Sequence, residues 1–108
     1  MKYEIYQIKP EHVGFRFMHY TWFEKVTIDL YTKVYEGEID DVPEEGKETL
    51  LELIYREFNL YRPKDFTGHS MSVSDVVVLD GEPYFCDSIG FTPVPEFFDA
   101  SEDNHEQE

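Results

Sequence analysis

The sequence predicts an α+β domain, a small antiparallel sheet covered by two helices with a β-hairpin at its C-terminal end. Three observations carry that expectation. Apolar residues alternate at period two over 3–8 and 30–39, they recur at helical spacing over 47–58, and the run Val76–Leu79 is followed at once by Asp80 and Gly81. Period two marks strands, spacings of three and four mark an amphipathic helix, and an Asp-Gly pair marks a tight hairpin turn. The resulting order of strand, helix, strand, helix, strand, strand is that of a layered α+β fold.

Residues 3–8 place Tyr3, Ile5 and Gln7 on one side and Glu4, Tyr6 and Ile8 on the other. Apolar groups on both sides predict a strand inside the sheet, ended at Pro10. Over 15–25, Phe15, Phe17, Met18, Trp22 and Phe23 fall at helical spacings, with Met18 and Trp22 at i, i+4, so a short amphipathic helix is expected. Residues 30–39 alternate again and predict a second strand fading into the acidic loop 40–46. Over 47–58, Leu50, Leu51, Leu53, Ile54, Tyr55 and Phe58 give a broad apolar face. Glu48, Glu52 and Arg56 line the opposite side at i, i+4, and Leu53 or Ile54, at the helix centre, is expected in the core. After the hairpin, with Pro83 near the start of its returning strand 84–87, the run Thr92, Pro93, Val94, Pro95 is too rich in proline for a central strand. It predicts an edge or extended segment from which Phe97 and Phe98 fold back onto the core.

The segment 62–88 holds the candidate site. Pro63 biases Arg62 away from helix, and Gly68 can take a positive φ. His69, Ser70, Ser72 and Ser74 follow, with hydroxyls that compete with regular ladders by bonding to nearby backbone, and Asp75 leads into the apolar run. The serines and Asp75 therefore predict a loop stiffened by its own side chains, with the Asp75 carboxylate accepting amide or hydroxyl donors from residues 68–74.

These residues also carry a resemblance. Asp65 and Phe66, the run Gly68-His69-Ser70-Met71-Ser72-Val73-Ser74-Asp75-Val76-Val77, and Asp87-Ser88-Ile89-Gly90-Phe91 resemble the YodL-like domain family. So do the opening residues 3–8 and the stretch Phe15-Arg16-Phe17-Met18. The resemblance runs from about residue 3 to about residue 98, which divides the chain into a domain over 1–98 and an acidic tail over 99–108. It implies a setting in bacterial and phage mobile elements, where such domains occur alone and within large polyvalent proteins. It implies no established enzymatic activity.

Composition bounds the rest. A chain of 108 residues supports one domain, and nine Phe with eight Tyr supply large buried areas for so short a chain. Cys86 is the only cysteine, so no intrachain disulfide forms, and the N-terminus has no signal-peptide pattern. A cytoplasmic location without membrane contact is expected. The formal charge of −15 argues against direct binding of nucleic acid, which needs clustered Lys and Arg. It favours basic partners instead. The tail, with Asp99, Glu102, Asp103, Glu106 and Glu108 and no large apolar group to bury, is expected to be disordered.

Catalytic readings are weak at this level. His69, the serines and Asp75 contain the residue types of a triad, but neighbours in one extended loop rarely converge on one point. Cys86 with His69 is a second nucleophile option, set against the usual fate of a lone cysteine as a small core residue. His12, His19, His69 and His105 share no ligand spacing, so no metal and no other cofactor is expected. The leading expectation is a non-catalytic protein-interaction module binding through Phe66, Gly68, His69, Ser70, Ser72, Ser74, Asp75 and Tyr84. The alternative is an acidic mimic of nucleic acid that occupies a basic enzyme, in the manner of anti-restriction or anti-CRISPR proteins. A small hydrolase or thiol enzyme using His69 is the third.

Overall fold

The alternating N-terminal stretch becomes the middle of the sheet. In a computed structural model, which describes residues 1–40, 46–61 and 63–99, β1 (Lys2–Ile8) lies between β2 (Tyr31–Glu38) and β3 (Val76–Leu79). Beyond β3 come β4 (Glu82–Cys86) and β5 (Phe91–Pro93), so the antiparallel order is β2-β1-β3-β4-β5. The chain is thus α+β, with a five-stranded antiparallel sheet and one main helix, α1 (Lys47–Leu60). Edge strands have spare backbone groups, which suits proline, and Pro93 lies in β5 at one edge.

Asp80 and Gly81 take φ of +48° and +86°, the left-handed conformation that a two-residue hairpin turn between β3 and β4 requires. Asp80 also docks on β1: the Lys2 amide donates to its Oδ1 at 3.0 Å and its own amide donates to the Lys2 carbonyl at 2.8 Å. The hairpin is therefore central to the sheet and continues through a second turn into β5. Pro83 is the second residue of β4, opposite Val78.

Period-two alternation gives the sheet two apolar faces. On one, Ile5, Val77 and Leu79 pack against Leu50, Leu51, Ile54 and Phe58 of α1, with Met71 beside them. On the other, Tyr6, Ile8, Val76, Val78 and Phe85 meet Phe23, Val26, Tyr31, Val94 and Phe97. Phe97 is buried as expected, whereas Phe98 is exposed at 39 %.

The second cover is not the helix expected over 15–25. Residues 10–30 run as irregular chain with 3₁₀ turns at Pro10–Phe15, Tyr20–Trp22 and Ile28–Leu30. The reason is packing. Phe15, Met18, Tyr20, Phe23, Val26, Ile28 and Leu30 all reach the sheet, which a single helical stripe cannot arrange. Phe17 sits at φ +68° and breaks any helix there, and Trp22 points away from the core, edge-on to His19 at 5.1 Å.

Of Leu53 and Ile54, the core residue is Ile54. The buried line on α1 is Leu50, Leu51, Ile54 and Phe58, while Leu53 flanks it and is 45 % exposed. Ile54→Ala is therefore expected to cost about 2–5 kcal/mol. Leu53→Ala should cost no more than about 1 kcal/mol, since much of that side chain already faces water. Chemical denaturation of the two variants checks the pair, and equal losses would mean that the helix is rotated from this placement.

Candidate functional site

The loop after α1 folds back onto a polar residue inside the sheet. Gln7 belongs to the β1 side that faces α1, yet it is buried beside Ile5. A buried amide must find partners. Its Nε2 donates to the His69 carbonyl at 2.9 Å and to Asp75 Oδ2 at 3.0 Å, and its Oε1 accepts the His69 amide at 3.1 Å. The Ser72 amide donates to the same Asp75 oxygen at 3.0 Å. Asp75 therefore accepts a loop amide, as its place in the sequence predicts, and in addition a side chain from β1.

Ser74 is saturated in the same way, although it holds a left-handed φ of +89° that costs a non-glycine residue on the order of 1–3 kcal/mol. Its amide donates to the Cys86 carbonyl at 2.9 Å, its carbonyl accepts the Tyr31 hydroxyl at 2.6 Å, and its Oγ accepts the Phe17 amide at 3.1 Å. Cys86 in turn donates its amide to the Asp75 carbonyl at 2.7 Å. One small lattice thus ties β1, the 16–17 segment, the start of β2, the loop and the end of β4.

Gly68 is needed for closeness rather than for a positive φ. A Cβ there would lie 2.2 Å from Gln7 Oε1 and 3.1 Å from Val34 Cβ. Val34 is the bulged residue of β2, left without an opposite number between the pairs Ile5 with Tyr35 and Tyr6 with Lys33, and its carbonyl accepts the Thr67 amide and hydroxyl at 3.4 and 3.3 Å. Gly68→Ala should push Gln7 out of the lattice and lower stability by about 1–3 kcal/mol, the cost of buried groups left unpaired. A thermal melt of that variant checks this, and an unchanged midpoint would mean that Gln7 has room to move.

The remaining predicted residues divide. Phe66 is half-buried, with its ring 5.1 Å from Phe58 and 6.2 Å from Tyr35. Ser70 is exposed and Ser72 is half-buried, contributing its backbone to the lattice. Tyr84 packs on the α1 side of the sheet, and among the described residues no ring contact or hydrogen bond joins it to the loop. Arg62 and the acidic residues 41–45 lie outside the described residues, as do 100–108, where the tail was expected to be disordered.

Electrostatics follow burial. The Asp75 carboxyl is pushed up to about 7, chiefly by desolvation, against the pull of the Ser72 amide, Gln7 and Arg16. Burial, reinforced by Asp75 and Asp87, pushes the Cys86 thiol up to about 12, so the cysteine is a core thiol on the α1 side rather than a ready thiolate. Tyr31 is raised as well, first by desolvation. The triad is not assembled: Asp75 is held by Gln7 and Ser72, while His69 Nδ1 donates to the Ser70 carbonyl at 2.7 Å. Among the described residues, His69 Nε2 is buried without a hydrogen-bond partner, no three His, Cys, Asp or Glu side chains converge to hold a metal, and no helix is long and apolar enough to cross a membrane.

Gln7, Tyr31 and Phe17 are the site residues that the loop-centred reading missed. The available signal was Gln7, a polar side chain in the buried series of a strand read as central.

A family model described as the YodL-like domain matches residues 2–97. The chain belongs to this family. No curated protein and no solved structure matches it. The match covers every segment that the lattice joins in this YodL-like domain, from Gln7 to Cys86, and ends at the buried Phe97.

Proposed function

We propose that this YodL-like domain is a non-catalytic protein-interaction module of a bacterial mobile-element or phage setting, acting in the cytoplasm. Its contact surface is the outward side of loop 66–75 with the aromatics Phe66 and, on β4, Tyr84. The observation that supports this most is the Gln7–Asp75 lattice. It engages the His69 amide and carbonyl and the Ser72 amide inwardly and so holds the loop's shape, while Ser70 and Thr67 stay exposed. Loops held rigid on a scaffold are suited to binding, because little ordering remains to oppose association. Affinity capture from the host with the wild type and with Ser70→Arg, which leaves the lattice intact, tests the reading. Loss of a specific protein from the variant is expected, and equal recovery of every partner contradicts the loop's role.

One observation favours a second reading, the acidic mimic. Against 24 Asp and Glu the chain has nine Lys and Arg, and among the described residues Lys33 is engaged by Glu4 and Glu36 and Lys47 by Glu82. Much of the negative charge is therefore free to meet a basic enzyme. Such binding weakens steeply with added salt, whereas a contact made through the uncharged Thr67 and Ser70 of the loop does not.

A further inference from the structure

A concavity lies between α1 and the turn that joins β4 to β5. It is an open groove of about 540 Å³, within the range of sites that accept a side chain or a small ligand. Its walls are acidic. Glu48 and Glu52 stand at i, i+4 on the same side of α1, and Asp87 faces them across the groove. Neither glutamate forms an ion pair among the described residues, while Asp87 Oδ1 already accepts the Ser88 amide and lies 3.3 Å from His19 Nδ1. The same lining includes two aromatic rings. Tyr55 and Phe91 meet edge to face with ring centres 6.5 Å apart, and Ile89, 93 % exposed, stands at the rim.

Free carboxylates above an aromatic lining define one chemistry. A guanidinium satisfies carboxylates with a planar fork of donors and stacks on aromatic rings, while its aliphatic stem covers apolar surface. We propose that the groove between α1 and the β4–β5 turn docks an arginine of a basic protein segment, its head on Glu48 and Glu52 and its stem along Tyr55 and Phe91. Ile89 then meets an apolar neighbour of that arginine, and the overall charge of −15 steers the basic segment to the groove. Phosphate backbones are repelled by the same walls.

The inference rests on the binding-module reading but uses a surface other than the outward side of loop 66–75. Its test reads the groove directly. The full chain, labelled with ¹⁵N, is titrated with the acetylated amide Leu-Arg-Leu and, in parallel, with the same peptide carrying citrulline, which keeps the shape and removes the charge. Saturable shifts confined to amides 48–55 and 87–91 are expected with arginine, at least about tenfold weaker with citrulline or in Glu48→Gln, Glu52→Gln, in keeping with the loss of a charge-assisted contact. Equal binding of the citrulline peptide, shifts spread over the whole acidic surface, or none up to about 10 mM would each overturn the proposal, since a real contact of this kind lies within millimolar reach. So would groove shifts that grow with protein concentration alone, because a second copy would then be the occupant. The loop can fail its capture test while the groove passes this one, and the reverse.

Discussion

Replacing Phe58 by alanine is expected to lower the stability of the domain by about 3–5 kcal/mol, the range for removing a fully buried aromatic ring. Phe58 is 1 % exposed at the end of the buried line of α1, with rings on three sides: Tyr35 at 5.0 Å, Phe66 at 5.1 Å and Tyr3 at 6.2 Å. Its loss opens a cavity where helix, sheet and loop meet. The loop should feel it too, since Phe66 leans on this ring just ahead of the Gln7 lattice. Urea denaturation measures the loss, and hydrogen exchange at Gly68 and His69 measures the loosening. A variant within about 1 kcal/mol of the wild type would mean that α1 does not seal this face, given the usual cost of a core truncation.

The second large effect is a dependence on pH. Asp75 holds its proton up to about 7 in the folded chain, against 3.8 for the ordinary group, because burial disfavours the charge. Between those values the folded state binds the proton that the unfolded state has released. The contribution to stability is therefore complete below about pH 4 and is lost as pH rises through 7, on the order of 4 kcal/mol in all. Asp75→Asn keeps an acceptor for Gln7 and Ser72 without the charge, so its stability should be flatter across that window and equal or exceed the wild type at pH 8. Asp75→Ala strands both donors and should lie about 1–3 kcal/mol below the asparagine variant throughout. Thermal melts of the three proteins from pH 4 to 8 decide this, and parallel profiles for wild type and Asp75→Asn would remove Asp75 as the source.

Much of this was legible in the sequence, and the failures share a cause. Period two found β1 and β2, Asp80 with Gly81 found the hairpin, and prolines marked β5 as an edge, because each rests on local backbone chemistry. The stretch 15–25 misled because its spacing fits a helix, whereas tertiary packing turns nearly every apolar residue there to the sheet. Leu53 and Ile54 could not be told apart, because a broad apolar face does not say which line along it touches the partner. At the site, Asp75 could be read as an acceptor from its serine-rich approach. Gln7, 68 residues away, could not be paired with it from spacing. Gly68 was read for its backbone freedom and serves instead to let the loop approach Gln7.

The central claim is that Asp75 is a buried structural acceptor that locks the loop to β1 through Gln7. A ¹³C NMR titration of the Asp75 side-chain carboxyl in the folded protein tests it most directly. Burial of the carboxyl predicts a midpoint near 7 despite the hydrogen bonds from Gln7 and Ser72, with the Gln7 side-chain amide signals moving at the same midpoint because both groups share one hydrogen bond. A midpoint near the ordinary carboxylate value of about 4, with Gln7 unmoved, would contradict it.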